Sequence, residues 1–89
     1  MNLNDYRDEA GDFLKKLNIN DPDPKYLSML KEELELLAEA SEHNNEEKLQ
    51  HQLYDLLFII FEMAAAHNTD LNLQWENGRK RKAKKYLNK

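Results

Sequence analysis

With 89 residues, two Gly, two Pro and no Cys, the chain is one small domain that carries neither a disulfide framework nor a thiolate metal site. Its net charge of −4 is unevenly placed: Arg79, Lys80, Arg81, Lys82, Lys84, Lys85 and Lys89 put seven cations and no acid after Gly78, which leaves the first 78 residues at −11. Leu, Ala, Glu and Lys dominate, which favours an all-α fold, and the apolar run from Leu56 to Ala66 is too short to span a bilayer.

An acidic body with a basic tail can hold cations in one place and anions in another. The plainer alternative is that the tail lies across the body and offsets it. The acidic body argues against nucleic acid as the main partner. No signal peptide is visible, no membrane partner is expected, and the absence of cysteine is compatible with a reducing cytosol, so the expected location is cytoplasmic.

In chain order, Leu3, Tyr6, Ala10, Phe13, Leu14 and Leu17 recur at three- and four-residue steps, one face of an amphipathic helix that Asn2 or Asn4 can cap. Asn18 to Pro24 reads as a loop, and residues 1–23 thus form an N-terminal helix with its loop. Asp23-Pro24 reads as a cap followed by a first-turn proline, opening a second helix that runs to about Ser41. Leu27, Leu30, Leu34 and Leu37 are its expected core stripe, with Glu32, Glu35 and Glu39 on another face.

His43-Asn44-Asn45 is the next turn, and either asparagine can cap a third helix over Glu46 and Glu47. From Leu56 onward this helix is apolar on nearly every side, which four short helices cannot easily cover, so a second copy of the chain is expected over it. His67 to Asp70 turns into a fourth helix, capped by Thr69 or Asp70. Gly78 interrupts its pattern and divides it from a basic segment, 79–89.

Two spacings carry chemistry. Glu32 and Glu35 lie one turn apart, and Gln52 and Asp55 lie one turn apart on the following helix. If the two helices pack antiparallel, these oxygens face each other across a groove and suit Mg²⁺, which prefers hard oxygen ligands and lowers the pKa of an attacking water. Glu62 lies seven residues beyond Asp55, about 20° round the helix, and is a further candidate ligand. The bland reading of Glu32, Glu35 and Glu39 is a solvated helix face; Asp55 tips the balance to metal. His43, His51 and His67 share no spacing, which argues against a zinc site, and Trp75 reads as a core or interface aromatic before a base-stacking one.

With its E-x-x-E, a gap, x-x-D, the EELEL run and the D-L-L-F-I-I-F helix, the stretch from Leu27 to Leu87 resembles the MazG-like all-α nucleoside triphosphate pyrophosphohydrolases. The resemblance implies a Mg²⁺-dependent oligomer, with Mn²⁺ as a substitute, that splits an NTP or dNTP into its monophosphate and pyrophosphate. It implies metal ligation by Glu32, Glu35, Gln52 and Asp55, catalysis through Glu32, Glu35 and Asp55, and phosphate contacts from Arg81, Lys82 and Lys85. Gln52 departs from the pattern, which has Glu there; an amide can ligate but brings no charge and cannot act as a base.

Residues 1–89 are therefore expected to form one all-α domain, a four-helix up-and-down bundle-like protomer that homo-oligomerises as a dimer or tetramer through helix three. The favoured function is nucleotide pyrophosphohydrolysis. The alternatives are a degenerate member that binds a nucleotide or a partner without turnover, and a helical interaction module whose acids are a solvated face.

Overall fold

A computed structural model describes residues 2–87; Met1 and the last two positions of the basic segment, Lys89 among them, lie outside the described residues. Four helices make up the fold: α1 (Leu3–Lys16), α2 (Asp23–Glu42), α3 (Glu46–Ala66) and α4 (Leu71–Tyr86). No strand occurs among the described residues, so the chain is all-α.

Local chemistry sets each boundary. Asn2 starts α1 in a capping box: its side chain accepts from the Asp5 N–H, while Asp5 accepts from the Asn2 N–H. Asn45 caps α3 by accepting from the Lys48 N–H, and Asp70 caps α4 by accepting from the Leu73 N–H. The first three helices all stop in one way. Asn18, Asn44 and Asn68 take φ of 56°, 53° and 51°, and the N–H of the next residue donates back to Leu14, Ala40 and Ala64 respectively, each at 2.9 Å. This is the Schellman closure, with asparagine in the left-handed position usually given to glycine. At α2 the expected cap moves by one residue. Pro22 holds the N-cap position without a side-chain bond, and Asp23 enters the helix, where its carboxylate meets His67 Nε2 at 2.7 Å and ties the start of α2 to the end of α3.

Packing is centred on α3. α2 and α1 both pack on it, and α4 has α1 as its packing partner. Leu14, Tyr26 and Ile59 form the core cluster, backed by Met29, Leu30 and Met63. Phe58 meets Phe13 edge-on, and Phe61 meets Tyr6. Gly11 lets α1 approach α3 closely, since a Cβ there would stand 3.1 Å from the Ala65 Cβ.

Three expectations are corrected here. The inward face of α2 carries Tyr26 and Ala40, both buried, and between them at seven-residue steps the half-buried Glu33, with Leu30 and Leu37 half-buried beside it; Leu27 and Leu34 are exposed. Gly78 does not divide α4, which runs unbroken through it. The four helices do not close into a bundle. α4 has no buried residue, and the radius of gyration, 15.3 Å, exceeds the roughly 12 Å of a compact chain this long. The periodic apolar pattern ends at Trp75, so beyond it α4 offers α2 and α3 nothing to bury.

A small clamp fixes where α4 leaves the body. Asn4 donates to Asp70 and accepts from the Leu71 N–H, Asn72 accepts from the Leu3 N–H, and Arg7 reaches the Thr69 carbonyl at 2.8 Å. The Asn4 amide and the Leu73 N–H hold the Asp70 carboxyl below the usual carboxylate range.

Candidate metal and phosphate site

The α2–α3 hairpin places three of the acids and amides near one seam and leaves others off it. Glu33 lies on the inward face of α2, midway between Tyr26 and Ala40. Its Oε2 and the Oε1 of Gln52 on α3 are shut off from water and have no hydrogen-bond partner. Buried oxygens of this kind cost about 1–3 kcal/mol each when left unmet. Glu32 is exposed and sits one turn before Leu36 and two before Glu39, on the side of α2 that borders a cleft of about 540 Å³ shared with Lys48, His51 and Gln52. Glu35 is exposed and lies about 180° round α2 from Tyr26 by the 3.6-residue repeat.

Asp55 is half-buried on α3, and His51 approaches it at 3.2 Å from the preceding turn. Asp55 also lines a second cleft, between α3 and α1, with Asp12, Phe13, Tyr54 and Phe58. His51 thus joins the two clefts through its carboxylate partner. Among the described residues, no three His, Cys, Asp or Glu side chains gather in a group able to hold a metal ion. The donor chemistry nonetheless fits a hard cation. Glu33 and Gln52 supply two unmet oxygens on rigid helices, and Asp55 lies one turn from Gln52.

Glu62 is 6% exposed and makes no ion pair among the described residues. Burial, reinforced by Asp21 nearby, pushes its carboxyl above the usual range. Tyr26, 1% exposed, is raised by its own burial and by the charges of Glu62, Asp21 and Asp23.

The basic residues stand apart from these acids. Arg79 pairs within its own helix with Glu76, at 3.3 Å, and Lys80, Arg81, Lys82, Lys84 and Lys85 form no ion pair among the described residues. Through Leu87, therefore, no ion pair ties the tail to the body. Lys82 and Arg79 share a cavity of about 480 Å³ with Trp75 and Tyr86, lined by α4 alone.

A family model described as phosphoribosyl-ATP pyrophosphohydrolase matches residues 4–82, from the first turn of α1 well into α4. The chain belongs to that family. The phosphoribosyl-ATP pyrophosphohydrolase family is an all-α, nucleotide pyrophosphohydrolase-like group related to MazG, so the resemblance holds at that coarser level and extends through α1, ahead of Leu27. Searches of curated proteins and of solved structures return no match. No helix among the described residues is long and apolar enough to cross a membrane.

Glu33, which spacing did not single out, is the acid of α2 whose carboxylate oxygen is buried without a partner. Glu32 and Glu35 are the one-turn pair among the three glutamates, and only the burial of Tyr26 and Ala40 shows that the face of Glu33 is the one turned inward. The seven-residue step Tyr26–Glu33–Ala40 was the available signal.

Proposed function

We propose that this chain hydrolyses a nucleotide carrying a triphosphate, adding water at the α-phosphorus and breaking its bond to the bridging oxygen, so that pyrophosphate leaves and a monophosphate remains. Family membership supports a phosphoribosyl-ATP-type substrate; an NTP or dNTP presents the same triphosphate. The observation that carries this reading is the pair of unpartnered buried oxygens, Glu33 Oε2 and Gln52 Oε1, at the α2–α3 seam.

In this reading Glu33, Gln52 and Asp55 hold Mg²⁺ or Mn²⁺ with Glu32 at the rim, and Glu33 takes the place at the seam that spacing assigned to Glu35. When bound, the dication neutralises charge on the pyrophosphate and acidifies the attacking water. The chain's own residues orient that water through Asp55, which His51 holds in place, and shield the seam with Leu36 and Ala40. Arg81, Lys82 and Lys85 bind phosphate; because α4 packs on α1, they reach the seam from a second copy. That copy also covers the apolar side of α3, making a homodimer or a tetramer built from it.

The test is pyrophosphate release from phosphoribosyl-ATP and from the common NTPs, with and without Mg²⁺. Asp55→Asn is expected to lower the rate at least about 100-fold, the usual loss when one preorganised charge is removed from a site of this kind. Gln52→Glu restores a carboxylate beside the metal and is expected to tighten Mg²⁺ binding about tenfold, near 1.4 kcal/mol. No Mg²⁺-dependent release with either substrate type would overturn the reading.

One observation favours a second reading. Gln52 is neutral and, among the described residues, no three His, Cys, Asp or Glu side chains are placed to hold a metal ion, as in a degenerate member that binds a nucleotide without turning it over. Calorimetry with a non-hydrolysable triphosphate analogue, beside the turnover assay, separates the two.

A further inference from the structure

α4 touches the body only along the N-terminal part of its length, against the start of α1. None of its residues is buried, its contact with the body is the clamp at its first turn and a shallow cavity that Trp75 and Glu76 share with Asn2 and Leu3, and five of its cations have no acid to answer them among the described residues. Along one face Trp75, Arg79, Lys82 and Tyr86 recur at steps of four, three and four, so aromatic rings and cations share a single stripe. The cavity along that stripe has no wall from any other helix.

The opposite character appears between α1 and α3. Asp5, Asp8, Glu9 and Asp12, with Lys16 as the one cation, line the α1 side of a cleft of about 750 Å³, and Tyr54, Asp55 and Phe58 line the α3 side. Asp5 and Asp8 already have local partners in Asn2 and Arg7, but Glu9 and Asp12 have none among the described residues. A second cavity shares Glu9, Tyr54 and Phe58 with the first and continues past Tyr6 to Leu57 and Leu3. The two form one groove along α1, with an acidic rim and an aromatic floor, and Leu57 makes it continuous with the exposed apolar side of α3.

We propose that this groove is the docking site for α4 of a second copy of the chain. Charge and ring match: Arg79, Trp75 and Tyr86 on the helix meet carboxylates and Tyr54 and Phe58 in the groove, while Lys82 comes to the end of the same cleft that Asp55 lines, beside the seam where it would meet phosphate. Length matches as well, since α1 spans about 21 Å and α4 about 24 Å at 1.5 Å per residue. The helix cannot fill its own groove, because the Asn4–Asp70 and Leu3–Asn72 clamp starts it at the groove's end and the unbroken helix carries Arg79 to Tyr86 away. Docking in both directions closes a two-fold pair. It takes the pairing of two copies from the proposed function and adds a surface that α3 alone does not supply.

The chain has no cysteine, which gives a clean test. Glu9→Cys and Lys82→Cys are made in separate chains, mixed, and oxidised. A disulfide joining one chain of each kind is expected, exceeding the homodisulfides of either variant alone. In sedimentation at low salt, Arg79→Glu with Lys82→Glu should weaken self-association at least tenfold, as should Asp8→Lys with Asp12→Lys, and mixing the two variants should restore it. Raising the salt should weaken the native pair in parallel.

A native chain that stays monomeric at every concentration overturns this surface and the pairing together. A dimer indifferent to salt and to both reversals, with no mixed disulfide, overturns the surface alone and leaves α3 as the interface. Binding of the monomer to phosphatidylserine vesicles through α4, without self-association, also overturns it.

Discussion

Glu62 shows what a single residue contributes. It stands in an apolar run, 6% exposed, and no cation answers it among the described residues. Burial and Asp21 raise its folded pKa above the unfolded value. Between those two values the native chain keeps a proton that the unfolded chain has lost, so stability falls as pH rises through the window, and above it the cost is constant. Glu62→Gln is therefore expected to stabilise the protein at pH 7 to 8 by on the order of 1 kcal/mol, the usual scale for one unmet buried polar group. In a domain this size that is roughly 4–8 °C in Tm. The gain should vanish below about pH 4, where the unfolded glutamate is protonated too. Thermal melts across pH check this, and a gain independent of pH would show that charge is not the cause. The oddity of Glu62 was legible in the sequence because a lone acid among Leu, Ile and Phe needs no geometry to be noticed. Glu33 was not legible in the same way, since its meaning depends on which way α2 is turned, and Tyr26 sets that rather than the leucines.

At the scale of the helix, type and order could be read from sequence because the punctuation is chemical. Each N-terminus has an Asn or Asp within reach of a free N–H, except α2, where Pro22 and Pro24 fix the backbone instead. The asparagines that end α1, α2 and α3 were visible only as turn residues; their left-handed φ and shared closure are backbone facts that composition does not carry. Asn68 is the most consequential, because the turn it makes aims α4 at the clamp with Asn4. Asn68→Gly should be neutral or slightly stabilising, since glycine adopts this φ freely. Asn68→Val should cost about 1–2 kcal/mol, the penalty for forcing a side chain into the left-handed region. Denaturant melts measure both, and equal effects from Gly and Val would rule out φ as the cause. The missed feature of this scale, the continuity of α4 through Gly78, has a simple source. One glycine costs a helix only ~1 kcal/mol, and the good helix formers around it outweigh that.

For the whole molecule the deciding fact is an imbalance of apolar surface. Ala10, Leu14, Tyr26, Ala40, Ile59 and Ala64 are the buried core, three of them alanines, whereas Leu27 and Leu34 of α2 and Leu53, Leu57 and Ile60 of α3 lie about half exposed. Leu53, Leu57 and Ile60 recur at steps of four and three, so they form one stripe, and an apolar stripe left in water favours association. From the all-round apolarity of α3 the sequence predicts more apolar surface than four short helices can cover, and a second copy over the rest; in the structure α4 packs on α1 and the stripe stays open. If a second copy covers the stripe, folding and association are linked by mass action, and the melting temperature must rise with protein concentration. A hundredfold increase adds about 2.7 kcal/mol per dimer through that term. Leu57→Glu is expected to abolish the rise. In a monomer the same change, at a half-exposed site, would stay within about 0.5 kcal/mol and leave the melt independent of concentration. A native melting temperature flat over a hundredfold range would exclude a second copy as the cover for α3.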